Sequence, residues 1–271
     1  MKYAVVLQTA VSIAREAGEI VRDAFPRQAL SHVGLKGAVN PVTETDEAAE
    51  ARIVSRLRDA FPNHRILAEE GGGDDWRASG PPIWLIDPLD GTNNFAHGFP
   101  HVAISLALLE DGRPVVGVAY DPLRDETFAA TAGGGAWLNG QPITVTGVER
   151  LADGFLATGF PYDRRTAADN NVARLDHFLQ RSQGVRRAGA AVLDLAYVAC
   201  GRLDGFWEIR LKPWDVAAGL LLVQEAGGRV TDFDGGADYL SGEHIVVSNG
   251  RLHEEMLCVI REGASAPRPD A

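Results

Sequence analysis

The chain has 271 residues, of which 45% are apolar and 23% are charged, proportions that are typical of a globular protein. They argue against collagen, a coiled coil and a disordered chain. The 26 basic and 37 acidic side chains give a formal net charge of −11, which argues against a general role in binding nucleic acids or acidic membranes.

The two cysteines, Cys200 and Cys258, form no CxxC pair and have no histidine at ligand spacing. Neither a disulfide framework nor a zinc site is therefore predicted. The sequence has no uncharged apolar run near 18 residues, and its N-terminal segment lacks the pattern of a signal peptide. We therefore expect a cytoplasmic protein with no membrane partner.

Two amphipathic helices are predicted at the start of the chain. Apolar residues at helical spacing mark the first helix over 6–24, and Pro26 ends it. Thr43 and Asp46 have the spacing of a capping box, and a second apolar stripe follows as far as Ala60. Asp46 is therefore expected in the first turn of the second helix.

The rest of the first half predicts a sheet, because short apolar runs alternate with Gly, Pro and Asp. Asp111-Gly112 and Asn139-Gly140 have the composition of hairpin turns, so part of this sheet is expected to be antiparallel. The predicted strands are 66–68, 83–86, 102–109, 115–120 and 126–130.

Strands and helices alternate after about residue 150, which predicts a layered α/β arrangement. The predicted strands are 154–158, 185–188, 204–208, 229–233 and 245–248. The predicted helices are 165–182, 190–201, 215–226 and 250–261. We expect an N-terminal half over 1–145, a C-terminal half over 146–262 and a disordered tail over 263–271.

The segment DPLDGT is the sharpest chemical feature, and it follows the apolar run that ends at Ile86. It delivers two carboxylates, Asp87 and Asp90, at the end of a strand. Gly91 and Thr92 then begin a turn or helix whose free N–H groups suit an anion. Carboxylates about 4 Å apart repel by roughly 4 kcal/mol at an effective dielectric near 20, so a cation between them is expected. Oxygen ligands without a Cys or His cluster favour Mg²⁺.

Further carboxylates have ordinary as well as chemical interpretations. Glu69 and Glu70 follow a predicted strand, where acidic residues are commonly solvated loop residues. Asp215 follows Trp214 at the start of a predicted helix and has the position of an N-cap residue. Asp46 is accounted for by its capping box alone. Only their combination with DPLDGT favours a site.

Several segments, in order from about residue 4 to residue 250, strongly resemble the inositol monophosphatase family. They include ILAEEGG, WLIDPLDGTNNFAHGFPHVAIS, RRAGAAVLDLAYVACGRLDGFWE and PWDVAAG. DPLDGT and WDVAAG at this separation form a highly specific pair. The resemblance implies an α/β fold of the mixed α+β kind, with five αβαβα layers as in the sugar phosphatases.

The resemblance also implies the composition of the site. The implied ligands of two Mg²⁺ ions are Glu69, Asp87, Leu89 through its carbonyl oxygen, Asp90 and Asp215. The residues implied to contact the substrate are Asp90, Gly91, Thr92, Ala191, Glu208 and Asp215.

Three further residues, and Thr92 again, take implied roles around these ions. Asp46 and Thr92 are implied to orient and deprotonate the attacking water. Lys36 and Glu70 are implied to lie outside the direct ligands, and a weaker third ion is implied near Glu69 and Glu70.

The implied activity is Mg²⁺-dependent, lithium-sensitive hydrolysis of inositol monophosphates, by a homodimer acting on a small phosphorylated polyol. Other small substrates stay open: fructose 1,6-bisphosphate, NADP, histidinol phosphate and 3′-phosphoadenosine 5′-phosphate. A different class is also open, because some bacterial relatives act in RNA polymerase and ribosomal transcription complexes. The family implies no catalytic role for His97 or His101, and we interpret Arg164-Arg165 and Arg186-Arg187 as solvated or subunit-facing pairs.

Overall fold

The computed structural model describes residues 2–25, 34–36 and 40–264. Its helices are α1 (Ala4–Ala24), α2 (Glu44–Ala60), α3 (Thr92–Ala96), α4 (Val172–Leu179), α5 (Ala191–Ala199), α6 (Pro213–Glu225) and α7 (His253–Ala264). None of the helices in these ranges combines the length and the apolar character that a membrane-spanning helix needs.

Fifteen strands are present in the described residues. The first ten are β1 (Gly34–Lys36), β2 (Asn40–Val42), β3 (Arg65–Ala68), β4 (Gly72–Gly73), β5 (Ile83–Asp90), β6 (Ala103–Glu110), β7 (Arg113–Asp121), β8 (Glu126–Thr131), β9 (Gly135–Leu138) and β10 (Gln141–Ile143). The last five are β11 (Phe155–Thr158), β12 (Gly184–Arg186), β13 (Gly205–Ile209), β14 (Arg229–Thr231) and β15 (His244–Ser248).

Two mixed sheets carry most of these strands. The larger has the order β10-β9-β8-β7-β6-β5-β3-β4, and within it only β3 and β5 run parallel. The smaller has the order β12-β11-β13-β15-β14, in which β11 runs parallel to both of its neighbours. Strands β1 and β2 form a separate antiparallel pair.

The alternation of side chains along β5 shows how the larger sheet is covered on both faces. Trp84 and Ile86 belong to the apolar core that α1 and α2 form on one face. Ile83 and Leu85 point the other way and join the core that contains α5 and α6. Both faces are therefore dry, which explains why β5 is almost continuously apolar.

The smaller sheet is covered in the same way. Phe206 on β13 joins the central core with α5 and α6, whereas Trp207 joins a third core with Phe178 of α4 and Met256 of α7. The layers are thus α1 with α2, the larger sheet, α5 with α6, the smaller sheet, and α4 with α7. The five-layer αβαβα sandwich expected from the sequence is confirmed.

The predicted start of α4 is wrong by seven residues (172 minus 165), the largest difference from the predicted boundaries. The helix expected over 165–182 begins only at Val172, because Asn171 has a left-handed backbone with φ 68° and its amide donates to Thr158 Oγ1 (2.9 Å) and the Gly159 carbonyl (2.8 Å). Helix α7 continues to Ala264, so it includes the first two residues of the expected tail. Residues 265–271 lie outside the described ranges, and the tail expected there stays a prediction.

The predicted division near residue 145 stays a prediction. The last strand of the larger sheet ends at Ile143 and the smaller sheet begins at Phe155. Nevertheless, one apolar core between the sheets contains residues of both, among them Leu85 and Phe206. The helices α5 and α6 in this central layer, together with β13 of the smaller sheet, position the functional residues that come from the C-terminal half.

Candidate metal centre and active site

Parallel pairing of β3 and β5 brings Glu69 beside Asp87. The register aligns Ala68, the last residue of β3, with Ile86 on β5. The Glu69 N–H then donates to the Ile86 carbonyl at 3.1 Å, which continues the ladder by one bond. Carboxylates that follow the ends of two adjacent strands consequently lie at the same edge of the sheet.

An irregularity in β5 separates Asp87 from Asp90. The pairing of β5 with β6 shifts register between these two residues, at Pro88-Leu89. Proline cannot donate to the ladder, and the Leu89 N–H donates instead to Asp87 Oδ1 at 3.0 Å. Asp87 and Asp90 both border the same cleft as a result.

Helix α6 contributes Asp215 from the central layer. Pro213 begins the helix, and Asp215 Oδ2 accepts a hydrogen bond from the Lys212 N–H at 2.7 Å. The Ser105 hydroxyl donates to the Trp214 carbonyl at 2.9 Å and ties this first turn to β6. The predicted N-cap position of Asp215 is wrong, because α6 begins two residues earlier at Pro213 and Lys212 is the N-cap residue. Asp215 instead completes a capping box from the third helical position, and it borders the cleft as well.

Glu69, Asp87 and Asp215 form an acidic cluster, in which one carboxylate oxygen of each lies within 4.8 Å of the others. Burial raises the pKa of Asp87 well above its usual value, and Glu69, Asp90 and Asp215 raise it further. Burial, followed by the charge of Asp215, also raises the pKa of Asp90. A cation among these groups would remove the repulsion.

The donor set fits Mg²⁺. This ion binds hard oxygen ligands at about 2.0–2.1 Å, which places the ligand oxygens roughly 3–4 Å apart. The acidic cluster meets this spacing with small side-chain adjustments. The fourth acidic group, Asp90, has its Oδ2 held at 2.7 Å by the Val192 N–H, at the start of α5.

Asp46 and Thr92, to which the resemblance gives a shared role, are in contact. The Thr92 hydroxyl lies 2.9 Å from Asp46 Oδ1 and 3.1 Å from the Leu89 carbonyl, and we assign its proton to the carboxylate as the stronger acceptor. Asp46 Oδ2 accepts from the N–H of Thr43 at 2.9 Å and from its hydroxyl. Burial raises the pKa of Asp46, and these hydrogen bonds oppose the rise.

Gly91 makes a close approach that a larger residue would prevent. Its φ is 95°, and a Cβ there would lie 2.9 Å from the His101 carbonyl. The Asn94 amide donates to that carbonyl at 2.8 Å and to the Ala188 carbonyl at 2.9 Å. The loop after β5 is thereby held against the segment that leads into α5.

One cleft of about 300 Å³ is bordered by the acidic cluster and also by Ala191 and Glu208, two of the residues that the resemblance implies to contact the substrate. Their role in binding the substrate stays a prediction. Glu208 is 7% exposed, and burial raises its pKa to about 8, an effect that the charge of Arg187 opposes. The cleft therefore combines the acidic cluster with a further buried carboxyl group, that of Glu208.

Neither of the two residues implied to lie outside the direct ligands, Lys36 and Glu70, is seen at the cleft among the described side chains. The side chain of Lys36 lies outside the described residues. Glu70 is absent from the described residues that border the cleft, and its N–H donates to Glu50 Oε2 at 2.8 Å. Glu50 also accepts from the Gly71 N–H at 2.7 Å and so positions the turn after Glu69. Its spacing of four residues from Asp46, on one face of α2, is the signal that sequence reasoning missed.

Asp194, Tyr162 and Arg187 also border the cleft but were not predicted to do so. Asp194 is a single charge within the apolar run AVLDLAYVA, which is the signal that could have identified it. Burial raises the pKa of the Tyr162 phenol, and the charges of the acidic cluster raise it further. Arg164 borders the cleft too, so one arginine of each predicted basic pair faces the site.

Comparison with known proteins agrees with this geometry. A model of the inositol monophosphatase family matches residues 2–265. The chain is similar to the Nus factor SuhB of Pseudomonas aeruginosa, with 46% identity over 263 residues that cover 94% of this chain and 95% of that one.

Solved structures give the same result. The structure is similar to that of the inositol monophosphatase from Anabaena (Nostoc) sp. PCC 7120, with a TM-score of 0.87 and 41% identity over 97% of both chains. It is also similar to an IMPase from Thermotoga maritima, with a TM-score of 0.86 and 36% identity over 95% of this chain and 97% of that one. The chain belongs to the inositol monophosphatase family.

Proposed function

We propose that the protein hydrolyses inositol monophosphates to inositol and phosphate, with two Mg²⁺ ions held by the acidic residues of the cleft. The observation that carries this proposal is the convergence of Glu69, Asp87 and Asp215, from three separate elements, to within 4.8 Å in one cleft. Thr92, whose hydroxyl is hydrogen-bonded to the buried Asp46, borders the same cleft. The proposed ligands are these three carboxylates, Asp90 and the Leu89 carbonyl. The names of the related inositol monophosphatases support the choice of substrate.

The bound ions would lower the pKa of the attacking water and stabilise the charge on the phosphate. Thr92 already donates its proton to Asp46, so a lone pair of its hydroxyl is left to accept a hydrogen bond from water and orient it. Asp46, held through its other oxygen by Thr43, then receives the proton by way of Thr92.

The remaining residues of the cleft bind the substrate. The N–H groups of Gly91 and Thr92, at the start of α3, would bind phosphate oxygens. Glu208 and Ala191 border the same cleft, and the alcohol would lie beside them. This division keeps the reacting phosphorus at the acidic cluster and assigns recognition of the alcohol to β13 and α5.

A substrate panel tests the proposal. The purified protein with Mg²⁺ is assayed against inositol 1-phosphate, fructose 1,6-bisphosphate, NADP, histidinol phosphate and 3′-phosphoadenosine 5′-phosphate. We expect the highest kcat/KM for inositol 1-phosphate, with activity lost in EDTA and in Asp90→Asn. Higher kcat/KM for another compound reassigns the substrate, and EDTA-resistant activity contradicts the metal mechanism.

A second candidate function is participation in transcription complexes, because the relatives with 41–46% identity carry the name Nus factor. Affinity capture on the tagged protein, followed by detection of RNA polymerase from the same cells, tests this role. Recovery of polymerase with both the wild type and Asp90→Asn would show a role independent of catalysis. The homodimer and the cytoplasmic location stay predictions, and sedimentation velocity measures the first.

A further inference from the structure

Asp194 is a buried carboxylate that borders the cleft and is not one of the proposed metal ligands. It lies in the first turn of α5 and is only 2% exposed, yet it borders the cleft together with Glu208. The other residues of α5 that are buried are apolar. A charged residue buried in such a helix lowers the stability of the fold unless it is paired. An unpaired carboxylate at this position therefore indicates a role other than stability.

The hydrogen bonds of the buried carboxylates distinguish Asp194 and Glu208 from the rest. Asp121, for comparison, accepts from the Leu123 N–H at 2.9 Å and from the Arg124 guanidinium at 2.7 Å. The buried carboxylates that accept at least one hydrogen bond are Asp46, Glu50, Asp87, Asp121 and Asp204. Within the described residues, Asp194 and Glu208 are the two whose carboxylates accept none.

The neighbouring histidine, His101, does not donate a hydrogen bond to Asp194. His101 Nε2 lies 3.9 Å from Asp194 Oδ1, which is too far for a hydrogen bond, and this nitrogen has no hydrogen-bond partner among the described residues. Arg187 opposes the rise in the pKa of both Asp194 and Glu208, so its guanidinium compensates charge without donating to either carboxylate. The carboxylates therefore keep their acceptor capacity for a ligand.

Asp194 and Glu208 lie close enough for their charges to interact. The charge of Glu208 raises the pKa of Asp194, which burial has already raised well above its usual value. The Glu208 carboxylate packs directly on Gly159, where a Cβ would lie 2.1 Å from Oε1. Gly189, Ala190 and Ala191 add only small side chains to the wall of the cleft, so space remains beside the two carboxylates.

We propose that Asp194 is a specificity-determining residue that, together with Glu208, binds two hydroxyl groups of the alcohol part of the substrate. The inference rests on the proposed function and deepens it: the preferred class is a polyol phosphate with at least two free hydroxyls, not an aryl or alkyl phosphate. Hydroxyls both donate and accept hydrogen bonds, so they can pair with the two carboxyl groups. A substrate without them leaves two buried acceptors unpaired, which is the strongest basis for discrimination between similar ligands.

Steady-state kinetics of Asp194→Asn on inositol 1-phosphate and on p-nitrophenyl phosphate test this. The measured quantity is the ratio of the two kcat/KM values, which we expect to fall by roughly 10–100-fold, as for loss of a hydrogen bond to a charged group. The melting temperature should stay equal or rise, because a buried charge without donors has been removed. Equal losses on both substrates with a lower melting temperature would show a structural role and overturn the inference.

Two control variants sharpen the result. Asp121→Asn changes a buried carboxylate that is satisfied by Arg124 and lies outside the cleft, so it should lower the melting temperature and leave the ratio unchanged. His101→Gln tests whether Asp194 acts through its histidine neighbour. If this variant lowers the ratio as much as Asp194→Asn does, direct binding by Asp194 is wrong.

A binding measurement separates failure of the inference from failure of the proposed function. If the wild type hydrolyses neither substrate with Mg²⁺, the proposed function fails, and calorimetric titration with inositol still tests Asp194. Weaker binding of inositol by Asp194→Asn than by the wild type supports the inference. Equal binding, or an unchanged kinetic ratio in an active enzyme, overturns it.

Discussion

Replacing Asp215 by asparagine removes one negative charge from the acidic cluster and keeps the helix cap. The amide oxygen of asparagine can still accept the hydrogen bond that the Lys212 N–H donates to Asp215 Oδ2 at 2.7 Å. The substitution is almost isosteric, so the contact of α6 with β6 through Ser105 should remain. The variant therefore tests the charge of this side chain rather than its place in the fold.

The expected change in stability follows from the geometry of the cluster. Two unit charges 4.8 Å apart repel by about 3.5 kcal/mol at an effective dielectric near 20. Asp87, whose pKa is raised, relieves part of this repulsion by holding a proton when no cation is bound. We therefore expect Asp215→Asn to raise the free energy of unfolding in EDTA by about 1–2 kcal/mol, which is a rise in melting temperature of roughly 2–8 °C.

Thermal unfolding in EDTA and in excess Mg²⁺, with kcat measured on the same preparations, provides the assay. Mg²⁺ should stabilise the wild type strongly, since it binds the folded state, and the variant much less. Turnover should fall by about 10²-fold or more, with partial rescue at high Mg²⁺. Asp176→Asn, on the exposed surface of α4, should change neither quantity. A near-wild-type kcat together with an unchanged response to Mg²⁺ would refute the assignment of Asp215.

Three further predictions follow from the same cleft. Burial raises the pKa of Glu208 to about 8 from 4.5, so between pH 4.5 and about pH 8 the folded state keeps a proton that the unfolded state loses. The free energy of unfolding in EDTA should therefore fall by about 1.4 kcal/mol per pH unit over this range. Urea unfolding of Glu208→Gln should lack this component, and parallel pH profiles would contradict it. Thr92→Ser keeps the hydroxyl that donates to Asp46 and should retain turnover, whereas Thr92→Val should lose about 10²-fold or more in kcat. Equal kcat values for the two variants would exclude a role for the hydroxyl. Li⁺ should inhibit hydrolysis through a weakly held second cation, and a flat Li⁺ titration would argue against that arrangement.

The candidate site was predictable where its chemistry is local in sequence. DPLDGT places Asp87 and Asp90 at the end of one strand. Predicting two neighbouring carboxylates there requires little knowledge of the rest of the fold. Asp46 and Asp215 were ambiguous between helix capping and function, and the structure shows that the alternatives are compatible. A carboxylate has two oxygens: Oδ2 of Asp46 caps the helix through Thr43, and Oδ1 meets Thr92.

The residues that sequence reasoning missed depend on contacts between distant segments. Asp194 reaches the cleft only because α5 is packed between two sheets. The sequence pattern of α5 does not indicate which residues of the two sheets become its neighbours. The start of α4 was wrong for a similar reason. Asn171 leaves helical geometry because its amide bonds to residues at the end of β11, and that interaction has no counterpart in local propensity.

The position of Asp215 in α6 has a consequence for synthesis of the protein on the ribosome. Asp215 follows Asp87 by 128 residues (215 minus 87), so the acidic cluster is complete only after most of the chain has been translated. A nascent chain that has emerged as far as β10 can pair the strands of the larger sheet, but it lacks the helices that cover their inner face. Catalytic competence should therefore appear late in translation and in one step, when α6 docks between the sheets.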